Sequence, residues 1–241
     1  MNHAITELAK SFLNLLFPPH CVNCKRYLDQ ATDLMLCAFC NRKICQNPKP
    51  YCERCGRSID NSGALCAECR KTKLHFSAAR SAYIYDGALK EVIRAFKYKG
   101  KLTLGAGLAR LLMDFIKENE DMILGIDAIT FVPLQNGRMR ERGFNQSKAL
   151  ASRIAEEIKI HCPDLLEKIR STKNQNELSR DGRLCNLRGA FRIRRGSDIK
   201  GLRILLVDDV MTTGSTLSEC SKTLFDAGAA EVRCLTLARG L

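Results

Sequence analysis

No stretch of the chain reaches the ~18 uninterrupted apolar residues that a membrane-spanning helix needs, so no such helix and a soluble protein are expected. The first residues lack a basic segment followed by a small-residue cleavage site, and Glu7 and Lys10 interrupt the opening turns, which is unlike a secretory signal. A reducing, cytoplasmic setting is therefore expected. Low-complexity tracts are absent, and the one internal repetition is in the cysteines. Acidic residues are also in short supply: 26 Asp and Glu face 39 Lys and Arg, a formal net charge of +13. Half of the 16 basic residues between Pro133 and Lys200 lack an acidic counterpart, with 8 Asp and Glu in that span. A solvated basic face is the ordinary origin of such a surplus, but this one also suits polyanions and leaves room for nucleic acid.

What the chain does have is cysteine. Nine of its 13 cysteines lie between Cys21 and Cys69, in the pairs Cys21/Cys24, Cys37/Cys40, Cys52/Cys55 and Cys66/Cys69, with Cys45 left over. A CxxC turn brings two thiolates onto one ion, and four thiolates satisfy tetrahedral zinc. Two sets imply two structural zinc ions, and the intervals 25–36 and 56–65 are too short to form a core without metal. Disulfides, iron–sulfur clusters and redox-active thiols compete, but in a reducing compartment this spacing points to metal. Sequential pairing of the sets and a crossed one, in which the first and third pairs share an ion, are both open. Cys162, Cys185, Cys220 and Cys234 read as small buried apolar residues.

Residues 1–20 form a leading amphipathic helix, with Phe12, Leu13, Leu15, Leu16 and Phe17 on one face and Pro18 and Pro19 as its stop. That face suits docking on the body of the protein or a peripheral membrane contact. Residues 21–69 are the double zinc-ribbon module, and the basic run Arg70 to Lys73 marks a linker into a domain over 74–241. There the pattern alternates. Strands are expected at Ala78 to Tyr85, Ala128 to Pro133, Ala190 to Ile193, Ile204 to Val207 and Glu231 to Leu237. Helices are expected at Ala88 to Tyr98, Leu102 to Lys117, Gly143 to Ile160 and Gly214 to Ala227. Alternating strands and helices make an α/β fold, a parallel sheet wrapped on both faces.

The segment Leu205 to Thr216, LLVDDVMTTGST, carries the chemistry. Four apolar residues, Ile204 to Val207, suit a buried parallel strand, so Asp208 and Asp209 fall at its carboxyl end, where open α/β sheets bind ligands. Thr212, Thr213, Gly214, Ser215 and Thr216 follow at the start of a helix, whose free N–H groups and dipole cradle a phosphate. Gly214 lets the backbone approach, and the hydroxyls add donors. The carboxylates would repel a phosphate beside them, and make sense if they grip ribose hydroxyls or a magnesium ion while the phosphate lies farther along. This is a site for a phosphorylated sugar.

The order of apolar run, two acids, two apolar residues and a Thr/Gly/Ser loop resembles the phosphoribosyl pyrophosphate (PRPP) signature of type I phosphoribosyltransferases. Two further segments resemble a particular family. They are Val132 to Ser147, VPLQNGRMRERGFNQS, and the spaced set Arg170, Thr172, Gln175, Leu178, Arg183, Asn186 and Phe191. With the four CxxC pairs, the chain is similar over essentially its whole length to the ComF family, the ComFC/GntX-type proteins associated with natural competence.

The resemblance implies a type I phosphoribosyltransferase fold behind an N-terminal double zinc-ribbon module, with PRPP bound as its magnesium complex. The 5-phosphate would rest on Thr212 to Thr216 and the ribose hydroxyls on Asp208 and Asp209. Pyrophosphate would lie on Val132, Pro133, Leu134 and Gln135, flanked by Arg138, Arg140 and Arg142, whose planar forks suit phosphate oxygens. The segment from Arg170 corresponds to the catalytic loop that closes over substrate, with Gln175 and Arg183 as its catalytic members; exposed loop residues are the alternative. Phe144, Asn145 and Gln146 read equally as ligand contacts or as a core anchor and helix-start hydrogen bonders. Lys97 and Lys99 match a basic helix end of the family and also a solvated helix terminus.

No nucleobase hood is evident. Three functions follow: a DNA-uptake factor receiving single-stranded DNA, with competence-machinery proteins as further partners; a phosphoribosyltransferase of nucleotide metabolism with an unknown acceptor; and a regulatory PRPP sensor.

Overall fold

The computed structural model describes residues 18–61, 64–98, 103–170 and 187–240. The leading helix expected over residues 1–20 lies almost wholly outside them, as do Lys99, Gln175, Arg183 and Cys185. Each cysteine set carries a short helix that includes its last cysteine, α1 (Ala38–Asn41) and α2 (Ala67–Lys71). Arg70 and Lys71 therefore close a helical turn, where the composition suggested a linker; Arg70 Nε ties back to the Leu65 carbonyl at 2.9 Å.

The domain that follows alternates as its periodicity dictates. Strand β1 (Ala78–Ile84) leads into α3 (Gly87–Tyr98) and α4 (Leu104–Lys117), then β2 (Ala128–Phe131). A short helix α5 (Asn136–Arg142) precedes α6 (Gln146–Ile158). The strands β3 (Leu166–Lys168) and β4 (Phe191–Ile193) pair antiparallel as a small flap. The chain ends with β5 (Arg203–Met211), α7 (Ser215–Asp226) and β6 (Glu231–Arg239). The main sheet has the order β1-β6-β5-β2, parallel throughout.

Successive residues of a strand point to opposite faces, and β5 shows it. Leu205 and Val207 join α3, α4 and α6 in one apolar cluster, while Ile204 and Leu206 join α7 and the β3–β4 flap in the other. The cysteine sets divide the same way. Cys21 and Cys40 pack with Val22, Leu28, Leu34 and Leu36 in the first cluster; Cys52, Cys55, Cys66 and Cys69 belong to the second. The ribbons thus straddle the sheet, one on each face. The chain crosses between them over β1, where Asn47 N–H donates to the Ala82 carbonyl at 2.9 Å and Ile84 N–H to that of Cys45 at 3.0 Å. This covers an edge strand that would otherwise present unpaired backbone groups. The second cysteine set also meets this strand, with the Ala79 N–H donating to the Arg54 carbonyl at 2.7 Å, and Gly56 is required beside it: its φ is +67°, and a Cβ there would collide with the Ala79 carbonyl oxygen of β1.

Candidate functional site

Pairing of β2 with β5 ends at Phe131 and Val207. Beyond that point β5 keeps only β6 as a partner, with Asp208 opposite Thr236 and Met211 opposite Arg239. The strand therefore runs four residues past Val207, farther than its apolar run suggested, because β6 supplies backbone partners regardless of side-chain polarity. Asp208 and Asp209 sit where the sheet opens on its β2 side.

Both acids are held by donors of the protein. Asp208 Oδ1 accepts from Ser147 Oγ at 2.7 Å and from the Asp209 N–H at 2.9 Å. Burial, together with the charge of Asp209, pushes the Asp208 carboxyl up to about 7. Asp209 is buried, and Lys97 Nζ at the end of α3 lies 2.8 Å from each of its oxygens. Burial works against the Lys97 ammonium, and the Asp209 carboxylate outweighs it, so the lysine titrates above its ordinary value.

The loop after β5 turns at Gly214, whose φ of +80° caps α7. A Cβ there would come within 2.7 Å of Met211 Cε. Thr213 and Ser215 share a hydroxyl hydrogen bond of 2.6 Å, and the Ser218 N–H returns to the Gly214 carbonyl at 2.8 Å. The first turn of α7 lies at the positive end of the helix dipole, and there the Ser215 N–H donates to Thr213 Oγ1 at 3.4 Å.

The segment after β2 faces these acids. Val132 N–H donates to the Val207 carbonyl at 3.0 Å, and the Val132 carbonyl accepts from Asn145 Nδ2 at 3.0 Å. Asn145 also caps α6, accepting from the Lys148 N–H at 3.2 Å. Arg142 reaches Gln146 Oε1 at 3.1 Å and the Tyr98 hydroxyl at 2.8 Å, with its guanidinium 4.6 Å from the Tyr98 ring centroid. Phe144 stacks on Phe96 with centroids 5.1 Å apart. Phe144 is thus a core anchor and Asn145 a helix-start hydrogen bonder. Arg138 and Arg140 remain exposed on α5.

Each cysteine set converges. In Cys21, Cys24, Cys37 and Cys40 all four sulfurs lie within 4.8 Å of one another, and the same holds for Cys52, Cys55, Cys66 and Cys69. The pairing is sequential, which removes the crossed arrangement. Cys24 and Cys37 are 3.7 Å apart, as are Cys55 and Cys66; tetrahedral Zn–S bonds of ~2.3 Å require sulfurs ~3.8 Å apart. Burial pushes the Cys21 and Cys52 thiols up, but backbone N–H groups outweigh it and bring them down to about 6 and about 7. The donor chemistry and the spacing both fit zinc.

Residues 12–72 match the model of the double zinc ribbon domain and residues 144–241 that of the phosphoribosyl transferase domain. Competence protein F of Haemophilus influenzae is 30% identical over 91% of this chain and 96% of its own length. The chain belongs to the ComF family. Other ComF-like relatives are the DNA utilization protein YhgH of Salmonella typhi, 31% identical over 86% of this chain and 91% of its own, and Competence protein ComFC of Streptococcus pneumoniae, 29% identical over 86% and 89%. Among solved structures, the glutamine PRPP amidotransferase of B. subtilis aligns at 24% identity over 63% of this chain and 28% of its own, with a TM-score of 0.35. The ComF chain has the phosphoribosyltransferase fold, a parallel sheet with helices, preceded by two tetracysteine zinc sites.

For two residues of this ComF site the sequence did not show the partner: Ser147, and Lys97, which read only as a basic helix end or a solvated terminus. Ser147 lies in the GFNQS segment but shows its role only through Asp208. Lys97 carried a local clue: it follows Leu89 and Ile93 at intervals of four, on the buried stripe of α3, where a cation must find an acid. No helix among the described residues is long and apolar enough to cross a membrane. Cys220 and Cys234 are fully buried, as small apolar residues should be, whereas Cys162 is half-buried and Cys45 exposed.

Proposed function

We propose that this ComF protein binds PRPP and handles incoming single-stranded DNA in the cytoplasm during natural transformation. The observation that carries the PRPP reading is the acid pair set beside a glycine-capped helix N-terminus, with Ser147 and Lys97 holding the carboxylates before any ligand arrives. In this reading the 5-phosphate takes the N–H groups and hydroxyls of Thr212, Thr213, Gly214, Ser215 and Thr216, and the ribose hydroxyls donate to Asp208 and Asp209. Pyrophosphate lies along Val132 to Gln135, with Arg138 and Arg142 neutralising its charge.

Magnesium suits hard carboxylate oxygens, and Asp208 Oδ2 has no hydrogen bond among the described residues. The ion would supply charge neutralisation to the pyrophosphate. The carboxylates of this chain would stabilise positive charge developing on the sugar, which is electrostatic catalysis. Gln175 and Arg183 complete the proposed catalytic set from outside the described residues.

The DNA reading is supported by the names of the relatives and by the surface of the first ribbon. Tyr27 and Phe39 are 52% and 53% exposed there, Lys43 Nζ lies 4.3 Å from the Phe39 ring centroid, and Lys25, Arg26 and Arg42 are exposed beside them. Aromatic rings among cations form a stacking platform for unpaired bases. PRPP with magnesium should raise the melting temperature, and Asp208→Asn with Asp209→Asn should abolish the rise; an undiminished rise in the double variant refutes the site. PRPP binding without any affinity for single-stranded DNA would favour a phosphoribosyltransferase of nucleotide metabolism.

A further inference from the structure

Arg239, the last residue of β6, is 5% exposed, yet among the described residues no carboxylate pairs with it. A guanidinium is always protonated, and burying it uncompensated is costly. Its partners are instead sulfur and carbonyl. Nη1 donates to the Cys55 carbonyl at 2.7 Å and lies 3.7 Å from Met211 Sδ, and Nη2 lies 3.7 Å from Cys55 Sγ. Cys55 is a ligand of the second zinc set. Four thiolates around one dication leave a net charge of about −2, and that charge is the compensation the guanidinium otherwise lacks. Among the described residues the first set has no such cationic partner: a side-chain donor to its sulfurs there is the neutral amide of Asn23, 3.3 Å from Cys40 Sγ.

The other side of Arg239 faces the phosphate loop. Met211 stands opposite it in the β5–β6 register, and the Gly240 N–H donates to the Met211 carbonyl at 2.9 Å. Met211 Cε in turn occupies the space where Gly214 would carry a Cβ. Direct contacts therefore run from Cys55 through Arg239 and Met211 to Gly214.

We propose that Arg239 is the counter-ion of the second zinc centre and a positioning residue for the phosphate loop, so that zinc bound at Cys52, Cys55, Cys66 and Cys69 and phosphate bound at Thr212 to Thr216 stabilise one another. The coupling half rests on the PRPP reading above; the counter-ion half does not. Coupling of this kind is reciprocal: bound ligand slows the loss of zinc, and loss of zinc weakens the ligand.

The test follows zinc release from the full-length, zinc-loaded protein into a zinc-selective chromophoric chelator, with and without PRPP and magnesium, while melting temperature reports whether PRPP binds. The expected result is two zinc equivalents, one of them released about tenfold more slowly with PRPP. Arg239→Met should speed release of that same equivalent and erase its response to PRPP, and Arg239→Lys should recover part of both. Wild-type release that ignores PRPP while the melting temperature rises overturns the coupling and leaves the PRPP site intact. A melting temperature unmoved by PRPP removes the site itself, and with it the coupling. Unchanged zinc release in Arg239→Met overturns the counter-ion role. If that variant does not fold, Arg239→Lys decides the role: with its single ammonium unable to meet both Cys55 and Met211, it must release that equivalent faster than wild type, and a wild-type rate refutes it.

Discussion

Lys97 and Asp209, 112 residues apart, meet in a two-oxygen ion pair of 2.8 Å that is mostly withdrawn from solvent. It joins the end of α3 to the strand that carries the acid pair, and so sets the charge of the candidate site before a ligand enters.

Removing one partner strands the other. Lys97→Met should lower stability by about 3 kcal/mol, in the range for breaking a buried pair, and should weaken PRPP binding because Asp209 loses its orientation. Lys97→Met combined with Asp209→Asn should cost less than the sum of the single changes, and a double-mutant cycle by chemical denaturation measures the difference. Additive costs would mean that the pair is not coupled.

The Asp208 carboxyl, lifted from its ordinary 3.8 to about 7, makes both stability and binding depend on pH. Below 3.8 it is protonated in both folded and unfolded chains and costs nothing. Between 3.8 and 7 the folded chain holds more protons, so stability falls as pH rises, and the penalty is complete above 7. A ligand that needs the carboxylate should bind more tightly as pH rises from 6 to 8, releasing a proton on the way. Titration calorimetry in buffers of different ionisation enthalpy reads that proton, and Asp208→Asn should flatten the profile.

Replacing Cys52 and Cys55 by serine should release one zinc equivalent and destabilise the second-ribbon face of the sheet, since these sulfurs belong to the same apolar cluster as β5 and α7. Metal analysis should still find the equivalent held by Cys21, Cys24, Cys37 and Cys40. Two equivalents in that variant would refute the ligand set.

Single-stranded DNA should bind with a steep negative dependence on salt. Tyr27→Ala with Phe39→Ala should weaken it about tenfold or more, by loss of stacking worth ~1–3 kcal/mol per base, while leaving the salt slope nearly unchanged. Fluorescence anisotropy across a salt series separates the two effects. Wild-type affinity in the double variant would remove the first ribbon from the interface.

Most of the α/β alternation was legible because each buried element carries its own periodicity: Leu89, Val92, Ile93 and Phe96 mark α3, and Ile204 to Val207 mark β5. Helix α5 was not, because Asn136 to Arg142 is polar and basic without an apolar stripe, and the helix expected from Gly143 starts only at Gln146, after the Asn145 cap. The flap strand Leu166–Lys168 is too short to show alternation and exists through its pairing with Phe191–Ile193.

By itself the sequence determined what is local. CxxC spacing commits thiolates to metal, and an apolar strand running into two acids and a Thr/Gly/Ser turn commits the chain to an anion-binding helix start, because both depend on neighbours a few residues away. Only the tertiary structure decided which cysteine pairs share an ion, that the ribbons lie on opposite faces of the sheet, and that Ser147, Lys97 and Arg239 serve the acids and the zinc. These partners are 61, 112 and 184 residues distant in sequence. A buried charge needs a partner wherever the fold supplies one, and no spacing along the chain records which one that is.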